Sequence, residues 1–284
     1  MKFLMLVVIL TSSVVYADSW QVQHNNKLLN ASFVDAGSDQ HIYLIVHGTW
    51  AHQGMEIISS LQTLLEERDV SSLAITLSLG LSDRAGFMSC DKPVHATQDM
   101  AVDEIQVWID TLIEHGFKKI TIIGHSRGSG QVALYEKQHP GNVDSLVLLA
   151  PSVWRKEAVF TRYNARSDAS IEDILTLARS SEAPPLIGPY PLISCDSIMA
   201  SPQSFLSYYG EGTEKHTPAL LQTSTVPVHI ILGSEDTIVR WADRDIRAVE
   251  KNPRVVIDTV EGAGHFFRDL YLDDVLDLIM ADGE

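Results

Sequence analysis

The sequence predicts an α/β domain with a doubly wound, mostly parallel sheet, interrupted once by a cap. Three observations carry this. β-Branched apolar runs alternate with amphipathic helical stretches from residue 42 to residue 280. Several of the runs stop abruptly at glycine turns, as buried parallel strands do where the chain bends sharply into the next element. One stretch, 152–224, loses the rhythm and is rich in proline. Alternating strands and helices bury both faces of such a sheet and join through right-handed crossovers.

Taken in order, Lys2, the apolar run Phe3–Leu10 and the small residues before Ala17 describe a secretory signal peptide, with cleavage expected after Ala17. Apolar character fades at Thr11, short of the ~20 residues a spanning helix needs, and no cysteine near that point indicates a lipid anchor. The expected mature domain is 18–284. Trp20–Ala36 reads as a β-hairpin with Asn25-Asn26 at its turn, and Asn30-Ala31-Ser32 is a glycosylation sequon. Ile42–Val46 is a buried strand running into His47-Gly48-Thr49-Trp50. Met55–Glu67 has helical spacing, Leu73–Leu79 reads as the next strand, and Gly80–Asp91 as a polar loop. The Val102, Ile105, Trp108, Ile109, Leu112 stripe makes Met100–His115 a helix. Ile120–Ile123 is a strand that ends in Gly124-His125-Ser126-Arg127-Gly128 and passes at once into a helix. Ser145–Ala150 is another strand. Within 152–224, Ser170 with Asp173 has the form of a capping box, and Ser201-Pro202 reads as an N-cap with proline at the first helical position. A helical cap over the carboxyl edge of the sheet is expected there. Val228–Leu232 and Arg254–Val260 complete the sheet, and Phe266–Met280 is the closing helix.

Composition narrows the function classes. The chain carries 21 basic and 37 acidic residues, net −16, a surface that repels nucleic acid and anionic membranes. No second stretch is long and apolar enough to span a bilayer, so no integral membrane segment is expected once the signal is removed. The histidines lack H-x-x-x-H spacing and the two cysteines lack zinc-ligand spacing; no metal and no cofactor are expected. In an oxidising compartment Cys90 and Cys195 are expected to pair, tying the loop after the third strand to the cap.

Three strand ends present a serine, an acid and a histidine: Ser126, Asp236 and His265. In open α/β sheets functional groups gather beyond the carboxyl ends of the strands. A serine hydroxyl is a poor nucleophile until a base takes its proton, and imidazole has the suitable pKa. A carboxylate fixes the imidazole tautomer and stabilises the imidazolium. The developing oxyanion needs amide donors, for which Arg127, following the serine, and Thr49, in the early turn, are the choices.

These motifs resemble the α/β-hydrolase fold family. The matches are His47-Gly48, Gly124-His125-Ser126-Arg127-Gly128, Gly233-Ser234-Glu235-Asp236 and Gly262-Ala263-Gly264-His265, in the family's chain order and with a cap in its usual place. The resemblance spans nearly the whole mature chain and implies a Ser-Asp-His hydrolase working through an acyl-enzyme. It also implies packing roles for His125 and a turn role for His47. Glu235 is the alternative acid, with Asp236 the better fit to the pattern. Arg127 has two readings, a substrate carboxylate contact or a structural pairing. Trp50, Trp154 and Phe205 are expected at the substrate pocket, with Tyr208 and Tyr209 as further aromatics; the other reading makes them the cap's own core. Glu261 and Asp269 read as solvated. The oxyanion turn is His47-Gly48-Thr49-Trp50, not the H-G-G-G of one lipase branch, and serine at the elbow argues against dehalogenase and epoxide-hydrolase relatives. The expected function is a secreted or periplasmic serine hydrolase of a small-molecule carboxylic ester, thioester or amide. The alternatives are acyl transfer by the same triad and a non-catalytic binding module. Fold alone does not choose a substrate, and the sequence leaves oligomeric state open.

Overall fold

The computed structural model describes residues 17–37, 40–212, 216–239 and 242–281. The apolar N-terminal stretch read as a signal peptide lies outside these residues. The elements run β1 (Asp18–His24), β2 (Lys27–Val34), β3 (His41–Val46), α1 (Glu56–Glu66), β4 (Ser71–Thr76), α2 (Gln98–Glu114), β5 (Lys119–His125), α3 (Arg127–Gln138) and β6 (Ser145–Leu149). After β6 come α4 (Lys156–Asn164), α5 (Ile171–Arg179), β7 (Ile187–Leu192), β8 (Cys195–Ala200), α6 (Pro202–Tyr209) and α7 (Thr217–Leu221). The chain ends with β9 (Val228–Gly233), α8 (Ala242–Ile246), β10 (Val255–Val260) and α9 (Tyr271–Ala281).

Eight strands form one sheet in the order β1-β2-β4-β3-β5-β6-β9-β10. The first two pairings are antiparallel and the rest parallel. Asn25 and Asn26 both have positive φ, 46° and 59°, the backbone of a tight two-residue hairpin turn. The central strands are buried on both sides because successive side chains face opposite ways. Leu44, Val46, Leu73, Ile75, Ile120 and Ile122 pack toward Val102, Ile105 and Trp108 of α2 and Val132 of α3. Tyr43, Ile45, Ala74 and Ile123 pack toward Ile57, Ile58, Leu61 and Leu65 of α1 and toward Val275 and Leu276 of α9. At ~25 cal/mol per Å² of apolar surface removed from water, these two layers dominate the folding free energy.

Several boundaries differ from the sequence expectation. β4, the strand expected over Leu73–Leu79, stops at Thr76. There the Leu77 amide turns to donate to His47 Nε2 at 3.1 Å, and Leu79 adopts φ 52°. The last helix starts at Tyr271, not Phe266. Phe267 and Asp269 have φ of 43° and 59°, the left-handed region that a right-handed helix of L-residues excludes. The sequon is closed: Asn30 is buried in β2, and its amide donates to Asp83 Oδ1 at 3.0 Å and Arg84 O at 3.1 Å. In the folded domain this amide is buried and both its protons are committed, so a glycan there could not be accommodated without disturbing β2.

Segment 152–224 is an excursion between the neighbouring strands β6 and β9, and it is not helical throughout. Its β7 and β8 pair antiparallel with an irregular register. Pro189 and Pro191 lie within β7, where missing N–H groups are tolerated because the strand has a partner on one side only. Ser170 Oγ accepts from the Asp173 amide and Ser201 Oγ from the Ser204 amide, each at 3.1 Å. Several ties join the excursion to the sheet domain close to one place. Val94 donates to Met199 O and accepts from the Ser201 amide, both at 2.9 Å. Cys90 and Cys195 form a disulfide with Cα atoms 5.6 Å apart. Among the described residues no helix is long and apolar enough to cross a membrane.

Candidate active site

The parallel strands all end on one edge, and that edge gathers the chemistry. Ser126 caps β5 with φ 55° and ψ −116°, a conformation L-residues seldom adopt and one that costs on the order of 1–3 kcal/mol. Hydrogen bonds hold it there. Its amide donates to Leu149 O at 2.8 Å, and its carbonyl accepts from the Ser129 and Ser152 amides at 3.2 and 3.1 Å. Gly128 explains one glycine of the motif. A Cβ on it would lie 2.5 Å from Val46 O and 2.6 Å from His47 O, so only glycine lets α3 start this close to the end of β3.

His265 follows β10. Its Nδ1–H donates to Asp236 Oδ2 at 2.7 Å, and its Nε2 accepts from Ser126 Oγ at 3.0 Å. The other Asp236 oxygen, Oδ1, accepts from the Ile238 and Val239 amides at 2.7 and 2.9 Å. Burial alone would raise the Asp236 carboxyl. The bonds from His265 and the two amides outweigh it and hold the group below the usual aspartate range. Ser126, Asp236 and His265 are all buried, while Glu235, Glu261 and Asp269 are exposed. A second glycine brings the two acid- and base-bearing turns together, since a Cβ on Gly233 would sit 2.5 Å from Ala263 O. An oriented carboxylate–imidazole–hydroxyl chain of this kind can draw the proton from a hydroxyl as it attacks an electrophile.

Two histidines have more to do than fill space. His125 Nε2–H donates to the main-chain oxygen of His265 at 3.0 Å, fixing the loop that carries the imidazole. Burial first, and the neighbouring His265 second, push His125 down to about 4. His47 Nδ1–H donates to Gly48 O at 2.8 Å, and its Nε2 accepts from the Leu77 amide and from Arg84 Nη2, both at 3.1 Å. Burial, then Arg84, lowers it to about 3. Arg84 also donates to Leu77 O and Ala51 O, each at 2.7 Å, so it braces the early turn. Nothing in the local sequence singled out Arg84, which lies 37 residues from His47.

Thr49 and Arg127 meet: Arg127 Nε–H donates to Thr49 Oγ1 at 3.2 Å. Arg127 opens α3, so its amide has no carbonyl one turn back to bond. Trp154 lines a cavity of about 150 Å³, together with Arg127, Ser152, Tyr208, Ile238 and Val239 among others. Ser126, Asp236 and His265 do not themselves line it, but Arg127 follows Ser126, the Ser152 amide bonds the Ser126 carbonyl, and the Ile238 and Val239 amides bond Asp236, so the cavity lies next to the cluster. Trp50 and Phe205 do not line this cavity. Trp50 is buried in the core at φ 51°. Phe205 is fully buried in the excursion beside Tyr190 and Tyr209, both ring centroids 6.5 Å away. Tyr209 is likewise interior, its hydroxyl accepting from the Ile193 amide at 2.7 Å. Sequence alone cannot separate an aromatic that lines a pocket from one that packs beneath it.

Several solved structures share this architecture. Est1E from Butyrivibrio proteoclasticus is 18% identical with a TM-score of 0.62, covering 92% of this chain and 95% of its own. An alpha-beta serine hydrolase homologue from Coxiella burnetii is 15% identical with a TM-score of 0.59, over 95% and 99%. The Pyrococcus furiosus esterase Pf2001 is 15% identical with a TM-score of 0.61, over 94% and 93%. Identities this low establish the fold alone. A search of curated proteins finds no match. The model of the alpha/beta hydrolase family matches residues 43–278, which includes β3, the serine elbow and the turns bearing Asp236 and His265, and the chain therefore belongs to the alpha/beta hydrolase family.

Proposed function

We propose that this chain is an exported serine hydrolase that cleaves a small carboxylic ester, with thioesters and amides as chemically related substrates. The observation that carries the reading is the continuous hydrogen-bonded chain from Asp236 through His265 to Ser126, carried by the ends of β5, β9 and β10 on one edge of the sheet. In the first half-reaction Ser126 Oγ attacks the carbonyl carbon while His265 Nε2 takes the hydroxyl proton, and Asp236 stabilises the imidazolium. The tetrahedral oxyanion is received by the Thr49 and Arg127 amides, each worth on the order of 3 kcal/mol in the transition state. Collapse expels the alcohol, which takes the proton from His265 and leaves an acyl-Ser126 ester. Water, deprotonated by the same imidazole, then releases the acid and restores the serine.

The cavity of about 150 Å³ favours small substrates, since a space of that volume holds a ring the size of benzene. Relatives in fold named as an esterase and as a thioesterase domain from the curacin pathway fit the same reaction class. Export rests on the N-terminal pattern of Lys2, Phe3–Leu10 and Ala17, and the Cys90–Cys195 bond suits an oxidising compartment. The test is mass spectrometry after fluorophosphonate treatment, paired with Ser126→Ala. A single adduct on Ser126, and loss of ester turnover in a variant that still melts cooperatively, are expected. Turnover that survives Ser126→Ala would refute the assignment.

A further inference from the structure

The chain as a whole is strongly acidic, yet the cavity beside Ser126 reverses that balance. Arg127, Arg155 and Arg162 line it, and among the described residues no aspartate or glutamate does. The three arginines differ in how they are satisfied. Arg155 Nε lies 2.9 Å from Asp245 Oδ2 and is paired. Arg162 stands on the last turn of α4, exposed, with no ion pair or hydrogen bond to another described residue. Arg127 is the informative one. It is half-buried, its Nε–H donates to Thr49 Oγ1 at 3.2 Å, and its guanidinium carbon stands 5.6 Å from the centroid of the Tyr208 ring. Among the described residues its Nη groups make no hydrogen bond, and no carboxylate comes within ion-pair distance.

Burying a guanidinium without an acid is unfavourable, and a hydroxyl and an aromatic face compensate it only partly. Desolvation accordingly lowers the Arg127 pKa, with Tyr208 and Tyr209 opposing. An arginine whose role was purely structural would be expected to close its fork on a carboxylate or on main-chain carbonyls, as Arg84 does on Leu77, Ala51 and Gly86. Arg127 instead keeps the planar, two-pronged end that suits a carboxylate, directly after the nucleophile and in the wall of the adjoining cavity. Resting on the reading of Ser126 as nucleophile, we propose that the substrate is an ester bearing a free carboxylate, which Arg127 receives inside the cavity while Arg162 attracts it at the rim. The local positive field offsets the repulsion that the acidic remainder of the protein exerts on an anion.

The experiment compares matched esters that differ by one carboxylate. The alcohol-side pair is 4-acetoxybenzoate against phenyl acetate; the acyl-side pair is monomethyl adipate against methyl pentanoate. The wild-type protein is expected to favour the anionic member of one pair at least tenfold in kcat/KM, and which pair does so identifies the side of the ester that enters the cavity. Arg127→Met should bring that ratio close to one, and Arg127→Lys should retain part of it. Because the readout is a ratio within one variant, any general loss of rate from disturbing the neighbouring amide cancels. Neutral esters turned over with no anionic preference, or a preference that survives Arg127→Met, would overturn the proposal. If fluorophosphonate leaves Ser126 unmodified and no ester turns over, the nucleophile reading fails by itself. The carboxylate site is then judged by calorimetry with 4-hydroxybenzoate. Binding by the wild type that is lost in Arg127→Met supports the site, and no binding by the wild type overturns it.

Discussion

His125 makes the stability of this protein depend on pH in a way that one substitution isolates. The ring is buried against His265 and Phe266, with centroids 4.9 and 5.6 Å away, and Asp236 also acts on it electrostatically. Its pKa falls from 6.5 to about 4 on folding. Above pH 6.5 the ring is neutral in both states and titration costs nothing. As the pH falls below 6.5 the unfolded chain takes up a proton that the folded protein refuses, so stability is lost progressively until about pH 4. At pH 5 linkage puts that loss at about 2 kcal/mol for His125. His47, lowered to about 3, should add a loss of about 2 kcal/mol at the same pH. His125→Phe should abolish the first and leave the second. At pH 8 the variant gives up the bond from Nε2 to His265 O and leaves that oxygen unpaired, at about 1–3 kcal/mol. The variant is therefore expected to be the less stable protein at pH 8 and to approach the wild type by pH 5. Urea unfolding at pH 5, 6, 7 and 8, with the disulfide intact, reads both curves directly. Parallel curves would show that the ring is not held neutral by burial and would refute the reasoning.

Three other outcomes follow from the geometry. Asp236→Asn keeps the shape but removes the charge that orients His265, and kcat should fall about 10⁴-fold; a loss below tenfold in steady-state ester hydrolysis would assign the acid elsewhere. Gly128→Ala places a Cβ 2.5 Å from Val46 O and 2.6 Å from His47 O, against backbone that cannot rotate away. About 3 kcal/mol of destabilisation is expected by urea unfolding, and an unchanged midpoint would contradict the close packing of β3 on α3. Removing the disulfide by Cys90→Ser with Cys195→Ser opens a loop of sequence separation 105, worth about 4–5 kcal/mol in chain entropy. A change under ~1 kcal/mol would mean that the Val94 hydrogen bonds to Met199 and Ser201 suffice to hold the excursion.

The central strands and the turns that bear Ser126, Asp236 and His265 were legible in the sequence because their causes are local. A continuous β-branched run such as Ile120–Ile123 is what a strand buried on both faces requires, and glycines at 124 and 128 mark a bend with no room for a Cβ. The strand ends in turn placed Ser126, Asp236 and His265 on one edge of the sheet. Local pattern failed where distant partners decided the outcome. Leu79 was read as strand, but His47 captures the Leu77 amide and ends β4 early. The proline-rich stretch 152–224 was expected to be a helical cap, yet within it β7 and β8 find each other as partners. Asn30 satisfied a sequon, and only Asp83 and Arg84, more than 50 residues away, commit its amide. The arginines show the division most clearly. The sequence by itself determined that Arg127 follows Ser126 and that the chain is acidic overall. Only the tertiary structure decided that Arg155 meets Asp245 while Arg127 keeps an open fork beside the cavity, because hydrogen bonds and ion pairs act over a few ångströms and the fold alone chooses which distant groups come that close.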